Sequence, residues 1–264
     1  MIKSYIQVFF LGILSSFSLP YFSFFPLIVV GFICFLIKLN KLTKPKEGFI
    51  YGLIFGFGYF LIGFHWIVFP LFFDRSHIVL VPFVLLFFPL LLSNFFAISS
   101  YLVIYLKNKN FFNLGFFSSS LLIALLFFSF EILRSTIFGG LPWNLFGHIW
   151  EIDYRFTIIT KFIGVFGLSF LTIFWMVILS NYLLNSKKKQ SIILFLFFPL
   201  FLFFSGKVLE TSISGKKITV RIVQPNISQE LKWSKQHIKD NIKILLDLSS
   251  IETQNKNPDI IIWP

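Results

Sequence analysis

Six long stretches of this chain, the shortest of 17 residues, contain no Asp, Glu, Lys or Arg: residues 4–37, 48–73, 76–106, 110–130, 162–186 and 190–206. No other feature restricts the fold so strongly. A helix rises about 1.5 Å per residue, so about 20 apolar residues cross the ~30 Å hydrocarbon layer of a bilayer. Backbone groups in that layer have no water to bond, so these stretches are expected to be helices that satisfy their own donors and acceptors. With 13% charged and 56% hydrophobic residues, the chain is far poorer in charge than a soluble domain, which carries about a quarter. It reads as a polytopic α-helical membrane protein. The many Phe residues carry no functional meaning in themselves.

Proline placement sets the number of crossings. The first stretch is too long for one helix, and Pro20 and Pro26 near its middle remove backbone donors. It is expected to form two short spans, about 4–19 and 22–37. The stretch 76–106 contains Pro82 and Pro89 and is expected to form one long, kinked helix. About seven spans result. Lys3 ahead of an apolar run resembles a secretory signal, but no small-residue cleavage site follows, so an uncleaved anchor is expected.

The lysines divide in step with that count. Starting inside, one set of segments holds Lys3, Lys38, Lys41, Lys44, Lys46, Lys107, Lys109, Lys187, Lys188 and Lys189 against Glu47 alone. The other set holds Arg75, Arg134, Arg155 and Lys161, balanced by Asp74, Glu131, Glu151 and Asp153. Short Lys/Arg-rich loops stay cytoplasmic. This predicts a cytoplasmic N-terminus and a tail after residue 206 outside the cytoplasm. The net charge of +12 is then mostly a topology signal, and no nucleic-acid partner is implied.

Composition changes after residue 206, giving a membrane region 1–206 and a second region 207–264. Lys216–Val223 reads as a β-strand, Gln224–Trp233 as a loop, and 235–252 as a helix with Ile238, Ile242, Leu245 and Leu246 on one face. Pro258–Trp263 reads as a second, fully buried strand. A strand, helix, strand order predicts a parallel pair, the opening of an α/β domain rather than a whole one.

Three motifs occur in order. The first is Glu131-x-x-Arg134 with Gly140-Leu141-Pro142-Trp143-Asn144 and Gly147. The second is Ile163-Gly164-Val165-Phe166-Gly167-Leu168-Ser169-Phe170-Leu171. The third is Val223-Gln224-Pro225-Asn226-Ile227-Ser228-Gln229-Glu230-Leu231-Lys232-Trp233, leading to Asp259-Ile260-Ile261-Ile262-Trp263-Pro264. Together they resemble the apolipoprotein N-acyltransferases, bacterial inner-membrane enzymes of lipoprotein maturation. The resemblance implies a helical membrane part followed by a periplasmic nitrilase-like (carbon–nitrogen hydrolase) domain, an α-β-β-α sandwich truncated here near its start. It implies transfer of an acyl chain from a membrane phospholipid, through a cysteine thioester, to the amino group of an apolipoprotein N-terminus. It also implies a glutamate base and a lysine beside the oxyanion.

In that family the glutamate directly follows the Trp-Pro pair, and the lysine and cysteine come later. The catalytic triad therefore lies beyond Pro264. The chain is expected to be a truncated product, one half of a split gene or part of a longer sequence, and to lack acyl transfer by itself. A separately encoded C-terminal half is a partner under the second reading. A catalytically inactive membrane scaffold is the alternative function.

Within the chain, the resemblance singles out Trp233 as a substrate-binding residue beside the membrane. His65 and Trp66, late in the third span, are candidates to line a phospholipid cavity, against the plainer role of core residues. Glu131 and Arg134 lie three apart on one helix face and can pair as a structural clamp. Pro142, Trp143 and Asn144 belong to an apolar but broken segment, 135–150, expected to be re-entrant or interfacial. Trp143 and Trp150 suit an aromatic belt. His148 receives no role. Cys34 sits near the lysine-rich side and is expected to be an ordinary buried cysteine. The histidines at 65, 77, 148 and 237 have no ligand-like spacing, and neither metal nor cofactor is implied. Gly164 and Gly167 are expected to allow close helix contact.

Overall fold

The computed structural model describes residues 2–111, 115–185, 188–209, 218–232, 234–251 and 257–264. The chain divides into two compact units, Met1–Glu210 and Thr211–Pro264.

The first unit is helical. Its helices are α1 (Ile2–Ser16), α2 (Pro26–Asn40), α3 (Pro45–Gly63), α4 (Val81–Asn108), α5 (Phe116–Thr136), the short α6 (Tyr154–Thr157), α7 (Thr160–Leu184) and α8 (Lys188–Leu209). Tighter 3₁₀ turns occupy His65–Phe72, Arg75–Leu80 and Phe146–Trp150. Arg75–Asn108, Phe116–Thr136 and Thr160–Leu184 are each long and apolar enough to cross a bilayer. Pro45–Gly63 and His65–Phe72, bent by 45°, make a fourth if the pair is one span. Ile2–Ser16, Pro26–Asn40 and Ile192–Val208 are apolar but shorter; a 15-residue helix reaches only about 22 Å. Length and composition thus give three or four crossing helices.

The first charge-free stretch is broken as expected, but α1 ends at Ser16 and α2 starts at Pro26, not near residue 22. Pro26 and Pro45 each open a helix, where the missing donor costs nothing. Pro89 is carried inside the single helix α4.

Glycines bring three helices into contact. Gly48, Gly52 and Gly56 recur every four residues along α3 and face α4. A Cβ on Gly52 would lie 2.3 Å from the Phe96 carbonyl oxygen, and one on Gly56 2.9 Å from the Ser93 Cα. On α1, Gly12 faces Phe55 in the same way. Small residues let backbones approach where lipid supplies no hydrophobic drive. Gly164 and Gly167 do something else. Gly164 has φ +68° and breaks the start of α7 with no neighbour near its missing Cβ, while Gly167 faces the Ile163 side chain of its own helix. Their expected role in close helix contact is corrected: Gly164 serves a left-handed backbone position.

The core is largely aromatic. Phe32, Phe35, Phe55, Tyr59 and Phe146 are almost fully buried, with Phe35 stacked on Phe55 at 4.3 Å between centroids. Buried serines bond back to their own helices: Ser15 to the Leu11 carbonyl at 2.8 Å, Ser93 to Leu90 at 2.7 Å and Ser120 to Phe116 at 2.8 Å. Such bonds satisfy a hydroxyl without a partner helix.

The start of α1, the α2–α3 turn and the end of α4, each bearing lysines, meet at one end. Lys38 Nζ donates to Gln7 Oε1 at 2.7 Å, tying the end of α2 to the start of α1. Lys107 donates to the Asn40 carbonyl, and Asn108 Nδ2 to the Thr43 carbonyl at 2.7 Å, tying the end of α4 to the α2–α3 turn.

The second unit contains β1 (Val220–Ile222), α9 (Gln229–Lys232), α10 (Ile238–Ser250) and β2 (Ile260–Ile262). The strands pair in parallel with Val220 opposite Ile260 and Ile222 opposite Ile262. Val223 N–H donates to the Ile262 carbonyl at 3.0 Å, and Trp263 Nε1 donates to Ser249 Oγ at 2.9 Å. One expectation is corrected. The second strand is not buried: Ile260, Ile261 and Ile262 are each nearly half exposed, and no residue of α10 is buried. A two-stranded sheet with one short helix has too little surface to enclose both faces of a strand.

Candidate functional site

The end of the helical unit away from the lysine turns holds an irregular segment, residues 137–153. The sequence forces the irregularity. Gly139 and Gly140 have φ of +86° and +79°, Pro142 has no N–H, and Asn144 takes φ +57°. A backbone of this kind is tolerated at membrane depth only where protein groups satisfy it.

The final turns of α5 supply those groups. Arg134 Nη1 donates to the carbonyls of Leu141 at 2.7 Å and Trp143 at 2.9 Å. Glu131 Oε1 accepts from Phe146 N–H at 2.7 Å. Both side chains are buried, and the guanidinium lies 5.3 Å from the centre of the Phe60 ring. The expected clamp differs in form from a direct pair. The ion pairs among the described residues are Lys44–Glu47, Asp153–Arg155 and His237–Asp240. Glu131 and Arg134 instead each grip the same loop. Their three-residue spacing sets the two heads a turn apart, one on carbonyls and one on an N–H.

Other helices hold the segment from the remaining sides. Asn144 Nδ2 donates to the Gly63 carbonyl at 2.9 Å, and Tyr59 Oη donates to the Asn144 carbonyl at 3.2 Å. Gly147 N–H donates to Ser169 Oγ at 2.7 Å, and Trp150 Nε1 to Thr172 Oγ1 at 2.9 Å. Gly147 needs its missing side chain: a Cβ would sit 2.8 Å from the Val165 carbonyl oxygen. Beyond it, Asp153 accepts from the Arg155 backbone and guanidinium, which hold its carboxyl down at about 2. Burial lowers the His148 imidazole below its ordinary range, Glu151 opposing and Arg134 adding to the shift.

The segment and the ends of α1 and α3 enclose a cavity of about 260 Å³. Trp66 and Trp143 line it, their rings 4.8 Å apart, with Tyr21, Phe22, Asn144, His148 and Glu151. Of the expected substrate residues, Trp66 reaches this cavity. His65 does not line it; its Nδ1 lies 2.6 Å from the Ile62 carbonyl and its ring packs edge-on against Tyr21. Trp233 lies outside the described residues. Pro142 is exposed beside Trp143. Cys34 is partly buried in α2 and free.

Sequence reasoning passed over Tyr59, Thr172 and the glycines of α3, and quoted Ser169 within a motif without giving it a role. The four-residue recurrence of Gly48, Gly52 and Gly56 in an apolar helix was a readable signal. A hydroxyl that accepts from a loop 22 residues away carried none.

Residues 11–178 match the family model described as the apolipoprotein N-acyltransferase N-terminal domain. The chain is 29% identical over 272 residues to the apolipoprotein N-acyltransferase of Rickettsia prowazekii and 30% identical over 271 residues to that of Rickettsia typhi; each alignment covers 100% of this chain and 52% of the relative. The enzyme of Pseudomonas syringae is 26% identical over 258 residues, 96% of this chain and 49% of the relative. The chain thus spans about half the length of the curated relatives it matches. A match across the segment 137–153 and its anchoring helices, extended by relatives over the full chain, shows that it belongs to the apolipoprotein N-acyltransferase family, with the family's N-terminal domain at residues 11–178.

Proposed function

We propose that this chain is the N-terminal portion of an enzyme that moves an acyl chain from a membrane phospholipid to the amino-terminal diacylglyceryl-cysteine of an apolipoprotein. The transfer runs through a cysteine thioester in two acyl-transfer steps. The observation that carries the reading is the coincidence of two parts in one chain: the family's N-terminal domain over 11–178 and a parallel strand pair whose second strand leads into Trp263-Pro264. In the family pattern the glutamate base comes next, followed by the lysine and the cysteine of a nitrilase-like sandwich.

On this reading the helical unit crosses the bacterial inner membrane seven times, the short helices α1, α2 and α8 included. The lysine-bearing end faces the cytoplasm, and the tail stands in the periplasm. The contacts joining the start of α1, the α2–α3 turn and the end of α4 support a single basic side. The segment 137–153 lies at the opposite, outer interface. There Glu131 and Arg134 are positioning residues, and the cavity beside Trp66 and Trp143 faces the lipid headgroups.

The test is complementation in a bacterium depleted of its own N-acyltransferase. Residues 1–264 joined to the second half of the Rickettsia prowazekii enzyme are expected to restore N-acylated lipoproteins, read by mass spectrometry of their N-terminal peptides. Residues 1–264 alone are expected to give none. Failure of the joined chain, with the protein inserted and stable, would leave the scaffold reading in its place.

A further inference from the structure

A second cavity, of about 430 Å³, opens at the lysine end, between the ends of α2, α4 and α7 and the start of α5. Its wall holds one charge, the Lys107 ammonium, and three side-chain amides, Asn40, Asn181 and Asn185; among the described residues neither Asp nor Glu lines it. Lys107 is half-buried and donates to the Asn40 carbonyl. An ammonium carries three donors, and this bond uses one. Asn181 Nδ2 donates to Ser120 Oγ at 2.8 Å, and Asn185 Nδ2 to the Asn181 carbonyl at 2.8 Å. Each amide has two donors and an acceptor oxygen, so it can also serve a hydroxyl in either direction. Three of the four helices end here, and a helix C-terminus presents carbonyls and a partial negative charge. A ligand of this cavity therefore needs its anion at Lys107 and hydroxyl donors elsewhere. Phe116 and Ile123 form an apolar side, and Phe116 is 38% exposed, so that side reaches the surface of the bundle.

We propose that this cavity holds the headgroup of an anionic, glycerol-bearing phospholipid of the cytoplasmic leaflet, its phosphate on Lys107 and its glycerol hydroxyls on the amides of Asn181 and Asn185. The acyl chains leave past Phe116 and Ile123. Such a lipid is a resident of the lysine end and not the acyl donor, which on the reading above meets the opposite end. A zwitterionic headgroup fits poorly, because its ammonium finds a lysine and no carboxylate. The choice of a lipid, and of the leaflet, rests on the membrane reading above, whereas the phosphate site stands on the residues of the cavity.

The test is lipid retention by the full 264-residue chain, purified in detergent and read by native mass spectrometry against phosphatidylglycerol, phosphatidic acid and phosphatidylethanolamine at matched acyl composition. Phosphatidylglycerol is expected to bind at least about fivefold more tightly than phosphatidylethanolamine, and about threefold more tightly than phosphatidic acid, which lacks the hydroxyls. Lys107→Gln is expected to remove most of the first preference, and Asn185→Leu most of the second. Lys109→Gln is the control for charge alone: Lys109 is exposed, lies 6.0 Å from the centre of the Tyr105 ring and does not line the cavity, so both preferences should survive it. Asn185 is exposed, so its variant tests the site even if Lys107→Gln loosens the bundle. Equal retention of the three lipids overturns the proposal, as does a preference untouched by Lys107→Gln or lost equally with Lys109→Gln. Free glycerol 3-phosphate bound through Lys107 with no preference among the lipids overturns the choice of a lipid, and the proposal with it. Retention is read without acyl transfer, so this result and the complementation result can fail independently.

Discussion

Residues 137–153 and the strand pair of the tail make an instructive contrast. The first region has only short 3₁₀ turns, yet several of its donors and acceptors are matched to Arg134, Glu131, Tyr59, Ser169 and Thr172. The second has a regular parallel ladder, yet its isoleucines stand open and α10 buries nothing. Regularity and burial are therefore separate achievements. A backbone without a helix is stable in an apolar unit when side chains replace the missing ladder. A good ladder contributes little hydrophobic stabilisation when nothing covers its faces.

Several substitutions test how deep this contrast goes. Arg134→Leu has the largest expected effect. It strands two carbonyls and leaves Glu131 without its buried counter-charge, at a cost of about 3–5 kcal/mol; a fall in Tm in detergent measures it, and Arg134→Lys, lacking the fork, recovers only part. Gly52→Val comes next. Its Cβ would meet the Phe96 carbonyl at 2.3 Å, so α3 and α4 must separate, at about 1–3 kcal/mol for overpacking. Asn144→Ala removes the bond to Gly63 and places alanine at φ +57°, for about 1–3 kcal/mol; the loop should gain amide exchange before the bundle does.

In the tail, Ile222→Lys is expected to stay within about 0.5 kcal/mol, because Ile222 is 76% exposed. Hydrogen exchange of the β1 amides checks this, and a loss above about 2 kcal/mol would show that the strand is covered after all. The smallest effect concerns pH. Burial lowers the folded pKa of His148, so its contribution to stability is complete above the unfolded value near 6.5 and declines as pH falls through the folded pKa. A Tm-versus-pH profile of the chain should slope downward below about 6.5, and His148→Gln should flatten it.

Much of the helical unit was legible because lipid leaves a chain few options. Charge-free stretches and prolines located α1 to α5, α7 and α8 but not the short α6, and Pro26 and Pro45 open helices as proline chemistry requires. The tail's strand–helix–strand order was equally readable. The site was legible in part. Glu131 and Arg134 stood out as ionisable residues in apolar surroundings, but their partners did not, because the partners are backbone atoms of residues 141, 143 and 146. A carbonyl looks the same at every position in a sequence. His65 and Trp66 are neighbours in sequence and differ in fate: Trp66 lines the cavity and His65 packs beside Tyr21, a choice made by the direction of one turn.

The sequence by itself determined that the long charge-free stretches of residues 1–206 would be apolar helices, since charge and hydropathy act locally and the backbone must close its own bonds. Only the tertiary structure decided that a buried carboxylate and a buried guanidinium would hold a loop instead of each other, that four-residue glycine spacing would seat α3 on α4, and that two tryptophans 77 positions apart would pack against each other in the wall of a cavity. Those outcomes depend on which surfaces meet, and contact between distant segments is set by the fold of the whole unit rather than by any stretch within it.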